Sequence, residues 1–139
     1  MQISRKALYA IKAIIYLSAK KGKRLCTITE IAEKENIPRE YMAKILKELT
    51  QKGYLSSYRG VQGGYRLNKA RSEISFLDIL EAVQGQFDSP SKTGTSEEAK
   101  LYQGASFDFW ADLHEVAGGK LAKMTMNKID YNQFYPDDK

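Results

Sequence analysis

The 139-residue sequence holds one cysteine, Cys26, one histidine, His114, and three prolines. A single cysteine excludes an internal disulfide framework, and beside a single histidine it excludes an ordinary Cys/His metal site within one chain. Nothing points to a carboxylate site in its place. With no convergent carboxylate pair either, the chain lacks the nucleophile, base or metal constellation that an enzyme requires. No apolar run approaches the roughly 20 residues that cross a bilayer, and the opening MQISRKALYA has no signal-peptide core, so a soluble, cytosolic protein is expected. What is present is 42% hydrophobic and 11% aromatic residues, enough for one compact domain with an appendage.

The net charge of +5 hides an asymmetry. Residues 1–71 carry 16 Lys and Arg against 5 Asp and Glu, a net of +11, whereas 72–139 carry 6 against 12, a net of −6. A basic front half suits a polyanion; the acidic back half must do something else. A merely solvated lysine surface is the ordinary alternative, but here the excess follows a structural boundary.

That boundary emerges from the periodicity. Over residues 3–20, Ile3, Ala7, Ala10 or Ile11, Ile14 and Leu17 recur at three-to-four spacing and predict an amphipathic helix. Thr27 or Thr29 caps a short second helix ending at Asn36. Pro38 opens a third helix, from about Arg39 to Lys52, that stops at Gly53. Its stripe Met42, Ile45, Leu46 and Leu49 is the core face, while Glu40, Ala43, Lys44 and Lys47 recur on another side. Such a stripe also suits a plain solvated helix; its place as second helix of a helix-turn-helix favours DNA contact.

After the third helix comes YRGVQGGYRL, residues 58–67. Tyr54–Arg59 and Tyr65–Leu67 are β-prone, and Gly63 and Gly64 supply positive φ between them, so the stretch predicts a hairpin. A phosphate-binding loop would need a glycine-rich turn running from strand into helix, with GxGxxG or GxxxxGK[S/T] spacing; neither is present. Arg59 and Arg66 beside the turn can reach a minor groove or phosphates, which makes the hairpin the wing of a winged helix-turn-helix.

The segments MQISRKALYAIKA, IAEKENIPREYMAKILKEL and GYLSSYRGVQGGYRL resemble the Rrf-two (IscR-type) family of bacterial transcription regulators. The similarity continues through ISFLDILEAVQG at 74–85 and, more weakly, through FDFWADLHEVAGGKLAKMTMNKI at 107–129. The RG-x-x-GGY-x-L wing is its specific part. The resemblance implies that Arg59 enters the minor groove and that the start of the third helix meets bases through Glu40, Ala43 and Lys44, with Arg39 and Tyr41 near phosphates. Glu40 suits a cytosine amino group and Lys44 a guanine. Ser4, Arg5, Lys6, Gln62 and Gly64 would add backbone contacts; Lys47, Gly63 and Tyr65 complete the candidate DNA-binding set.

Many members of that family hold an iron–sulfur cluster on three closely spaced cysteines, the last about six residues before a Trp that corresponds to Trp110. Gly104 stands at that place, and no cysteine occurs from 86 to 110. Cluster ligation needs thiolates, or histidine in part. No cofactor is therefore expected.

In the back half, Phe107, Trp110, Leu113, Ala117, Leu121 and Met124 fall on one side of a helix of roughly twenty residues that needs a partner surface. The family's two-fold dimer would supply it, and Gly118 and Gly119 would be tolerated where another helix comes close. The alternative is a helix folded back on its own domain. Cys26 reads as a small buried hydrophobe and His114 as a partly exposed polar residue.

The expected fold is thus mainly α with a small β-hairpin wing: a winged helix-turn-helix at 1–85, a flexible loop at 86–104, a dimerisation helix and return segment at 105–130, and a tail at 131–139. The expected function is a sequence-specific transcriptional repressor that binds double-stranded DNA as a homodimer, open to an unidentified small-molecule or protein effector. A winged-helix protein-interaction module without DNA readout is the alternative, but it leaves the basic excess and the wing arginine without a purpose.

Overall fold

The computed structural model describes residues 3–20, 22, 24–87 and 89–136. Helix α1 spans Arg5–Ala19, with Ser4 as its N-cap accepting from the Ala7 amide. It buries Ala7, Ala10, Ala13, Ile14, Tyr16 and Leu17, a face of small residues that lets neighbouring helices approach closely. Ile3, expected on this stripe, is exposed because it precedes the helix and points away from the core.

Helix α2, Ile28–Glu35, is capped by Thr27, whose hydroxyl accepts from the Glu30 amide. It ends at Asn36 in the left-handed conformation, φ 60°, which asparagine tolerates better than most residues. Pro38 is the N-cap of α3, Arg39–Gln51. Met42, Ile45, Leu46 and Leu49 of α3 are all fully buried, so its predicted apolar stripe is spent within the domain.

Strands β1, Leu55–Tyr58, and β2, Gly64–Leu67, pair antiparallel in the register Leu55↔Leu67 through Tyr58↔Gly64. A bridge to Cys26 extends the hairpin: Cys26 and Tyr65 exchange backbone hydrogen bonds of 2.9 and 2.8 Å. The wing therefore lies against the segment that enters α2. The glycines act differently from expectation. Positive φ falls on Gly60 (105°) and Gly64 (151°), not Gly63; at Gly63 a Cβ would stand 2.3 Å from the Tyr58 carbonyl oxygen, so tight packing inside the turn requires its bare Cα.

Helix α4, Phe76–Gln84, opens with a capping box between Ser75 and Asp78. Between 86 and 104 the chain forms a short helix α5, Glu97–Leu101. Helix α6, Phe107–Lys123, has 17 residues and packs on α4. The return segment then joins the first domain's core: Phe76 N donates to Met124 O, Met126 N donates to Ile74 O, each at 2.9 Å, and the Met126 side chain is fully buried. A last helical turn α7, Tyr131–Phe134, closes the described chain; of the expected tail, 137–139 lie outside the described residues. No helix among the described residues is long and apolar enough to cross a membrane.

Candidate nucleic-acid interface

With its apolar stripe buried, α3 presents Glu40, Tyr41, Lys44 and Lys47 to solvent, and Ala43 half-buried at their base. Tyr41 packs edge-on against Tyr9 of α1 at 5.3 Å, which limits its freedom while leaving its outer edge accessible. Arg39 is exposed, but its Nε donates to Thr29 Oγ1 at 3.1 Å. The first residue of α3 is thus tied back to α2.

In the wing, Arg59 and Gln62 are exposed and Gly63, Gly64 and Tyr65 are half-buried. The hairpin base is fixed to the end of α3: Tyr54 N donates to Leu49 O at 3.0 Å and Asn68 Nδ2 donates to Gly53 O at 3.1 Å. Arg66, grouped with Arg59 in the sequence, behaves differently. Its Nη2 donates to the Tyr58 hydroxyl at 2.7 Å and its guanidinium lies 4.6 Å from the Tyr58 ring centre, so it braces the two strands.

At the start of α1, Arg5 is exposed and the Ser4 amide donates to Gln84 Oε1 at 3.0 Å. Lys6 is bound within the chain: its Nζ is 2.5 Å from Glu48 Oε2, joining α1 to the back of α3. Its ammonium holds the two helices together and has less charge to offer a phosphate than Arg5 has.

Beneath the wing, Cys26 is fully buried, and burial together with the nearby Glu30 carboxylate pushes its thiol up to about 12. A thiol kept protonated in this way is a packing group and a poor nucleophile. Glu30 itself is forked by Arg24, Nη1 and Nη2 donating at 3.1 and 2.7 Å, and accepts from the Tyr16 hydroxyl at 2.5 Å. The Arg24 fork holds the Glu30 carboxyl far below the usual range, at about 2.

Helix α6 turns a different face outward from the one expected. His114 is buried, not partly exposed: its ring stacks on Phe87 at 4.1 Å, and its Nε2 lies 2.8 Å from the Phe87 carbonyl oxygen. A carbonyl only accepts, so Nε2 carries the proton. Gly118 faces the same ring, where a Cβ would lie 3.3 Å from Phe87 carbons; its close neighbour is therefore in its own chain. Leu121 packs on the core. With His114, Gly118 and Leu121 inward, the exposed apolar residues are Phe109 (60%), Leu113 (42%), Val116 (69%) and Met124 (37%). Of the expected stripe, Phe107, Trp110 and Ala117 are half-buried flanks, and Trp110 is wedged edge-on between Tyr102 and Phe109. Phe109 and Val116, outside the expected stripe, are exposed because Phe87 turns His114 and Gly118 inward, a contact that the periodicity of the helix does not signal.

The chain matches over residues 3–130 the profile of the Rrf2 family, described as iron-dependent transcriptional regulators. A Synechocystis protein described as an HTH-type transcriptional regulator is 29% identical over 132 residues, covering 95% of this chain and 89% of that one. CymR (YrzC), the global cysteine regulator of B. subtilis, superposes with a TM-score of 0.77 at 25% identity, over 91% of this chain and 94% of CymR. The oxidized form of Staphylococcus aureus CymR gives 0.71 at 27% identity, over 91% and 93%. T. potens IscR shares the fold, with a TM-score of 0.72 at 21% identity over 100% of this chain and 89% of that one.

The family description implies iron, and the residues here do not fit an iron centre. The segment 86–105 contains neither cysteine nor histidine. His114 points its Nε2 at a carbonyl, and Cys26 is packed under the wing. Among the described residues no group of three or more His, Cys, Asp or Glu converges on a point where a metal ion would be held. The profile match over residues 3–130 and the superposition on CymR over 91% of this chain cover nearly its whole length, and on that ground it belongs to the Rrf2 family of transcriptional regulators, DNA-binding proteins and not enzymes.

Proposed function

We propose that the protein is a sequence-specific repressor that acts as a homodimer on a near-palindromic duplex, with α3 in the major groove and the wing tip in the minor groove. The observation that carries this reading is the division of labour on α3. Every apolar side chain of its stripe is consumed by the core, yet Glu40, Tyr41 and Lys44 stand exposed along its first half and Lys47 one turn on, followed by a wing whose tip exposes Arg59. The net charge of +11 over residues 1–71 supplies the sequence-independent attraction to phosphates. The outer apolar stripe of α6 supports the two-fold partner. Asp108 and Asp112 lie in its first half, Glu115 at its midpoint and Lys120 and Lys123 in its last turn, so an antiparallel copy would set acids against lysines.

The test is titration of Arg59→Ala, Glu40→Ala and Lys44→Ala on a duplex that the unaltered protein selects from a random library, and on a scrambled duplex, at several salt concentrations. Arg59→Ala should cost about 1 to 3 kcal/mol on the selected duplex, most of it from an A·T-rich step beneath the wing. Glu40→Ala should relax base preference while non-specific binding stays level or rises. Lys44→Ala should weaken both and make the salt slope shallower. Equal losses on both duplexes for all three variants would reduce helix and wing to a basic surface.

A further inference from the structure

We infer that Tyr135, in the C-terminal segment, is a positioning residue for DNA readout: its phenol holds the end of α2 and thereby sets the aim of α3. The inference rests on the reading that α3 enters the groove. Helix α2 has only eight residues and buries only Ile31 and Ala32, a small apolar footing for an element whose own helical stability is marginal at that length. Two tyrosines from outside it make up the difference. Tyr16 of α1 donates to Glu30 in its first turn at 2.5 Å, and Tyr135 donates to Glu35, its last residue, at 2.6 Å. The two rings meet edge-on at 6.0 Å, with the Lys20 ammonium 4.2 Å from the centre of the first and 6.0 Å from that of the second.

Movement at Glu35 has two routes to α3. Asn36, Ile37 and Pro38 form the turn, with Ile37 N donating to Ala32 O at 2.9 Å, and Arg39 at the head of α3 is bonded to Thr29 of α2. At the other end, Tyr135 is presented from a fixed base. Met126 is fully buried, Tyr131 donates from its hydroxyl to the Met126 carbonyl at 2.8 Å, and the Arg71 guanidinium lies 4.5 Å from the Tyr131 ring centre. A continuous chain of contacts therefore runs from the end of α6 through Tyr135 and Glu35 to the recognition helix.

Tyr135→Phe removes the hydrogen bond and keeps the ring packing. It should lower affinity for the library-selected duplex roughly three- to tenfold, the scale of one ordinary hydrogen bond, and leave affinity for a scrambled duplex unchanged, because no cation is lost. Glu35→Gln retains an acceptor and should bind the selected duplex as the unaltered protein does; Glu35→Ala should match Tyr135→Phe, and the double variant should lose no more than either single one. Without DNA, hydrogen exchange at the amides of the α2–α3 turn should speed up in Tyr135→Phe while the middle of α1 is unaffected. Unchanged turn exchange, or an equal loss on both duplexes, would overturn the inference. If the unaltered protein selected no sequence at all, the DNA-readout proposal would fail, whereas the exchange measurement would still decide whether Tyr135 holds the turn.

Discussion

A Cβ on Gly64 would stand 2.6 Å from the carbonyl oxygen of Cys26, so the second strand of the wing lies against the entry to α2 only because residue 64 has no side chain. Gly64→Ala must push the two backbones apart as well as strain φ, and should cost about 3 kcal/mol. Gly60→Ala at the wing tip meets open space at φ 105° and should cost only the strain, about 1 kcal/mol. Urea denaturation of the two variants compares them directly. Similar losses would mean that the wing is not seated on Cys26.

The acid limb of stability should depend on Glu30. The Arg24 fork, aided by the Tyr16 hydroxyl, holds its carboxyl at about 2 in the folded chain against 4.5 ordinarily. A depressed carboxyl stabilises the fold fully above the unfolded value and loses that contribution as pH falls through the folded one. Stability should therefore decline between about pH 4.5 and 2, and Glu30→Gln should show a flatter profile over the same window. Urea midpoints taken at several acid pH values, parallel for the two proteins, would assign the decline to other groups.

The proposed dimer makes a prediction that separates outer from inner residues of α6. Val116→Asp and Leu113→Asp place a carboxylate in the outer stripe and should abolish association at micromolar concentration, because an unpaired charge in an apolar interface costs several kcal/mol. Their far-ultraviolet circular dichroism should match the parent, since neither side chain belongs to the buried core. Trp110→Ala should weaken association by about 2 kcal/mol and also lower thermal stability, because its ring is held by Tyr102 and Phe109. Sedimentation equilibrium that returned a monomer for the unaltered protein would remove the dimer.

Anaerobic reconstitution with ferrous iron and sulfide should leave the protein without visible charge-transfer absorption. The segment 86–110, where the resemblance would place ligating cysteines, has no thiol or imidazole to offer, and the Cys26 sulfur is buried beside the Arg24 carbonyl. A brown product with stoichiometric iron would contradict this.

The front half was legible because its signals are local. Thr27, Asn36, Pro38 and Gly53 mark helix ends through properties of the residues themselves, and Met42, Ile45, Leu46 and Leu49 state the inward face of α3 without ambiguity. The phase of α6 was not legible. Phe107, Phe109, Trp110, Leu113, Val116, Ala117 and Leu121 spread apolar groups around most of its circumference, so periodicity admits more than one inward face. The choice is made by Phe87, a loop residue that seats His114 and Gly118. Lys6 and Arg66 show the same limit: a cation's partner, Glu48 or Tyr58, is set by packing across elements. The contact between Tyr135 and Glu35 spans 100 positions and leaves no mark in any local pattern.

The burial of Met126 among residues of α1, α3 and α4 has a consequence for protein engineering. The winged helix-turn-helix is not portable: a fragment cut after residue 85 would carry a void where that thioether sits and would leave the Ile74 carbonyl without its hydrogen-bond donor. A chimera that borrows the proposed DNA-reading surface must therefore take the chain through at least the return segment, long helix included, so that this surface and the element behind it are inherited together.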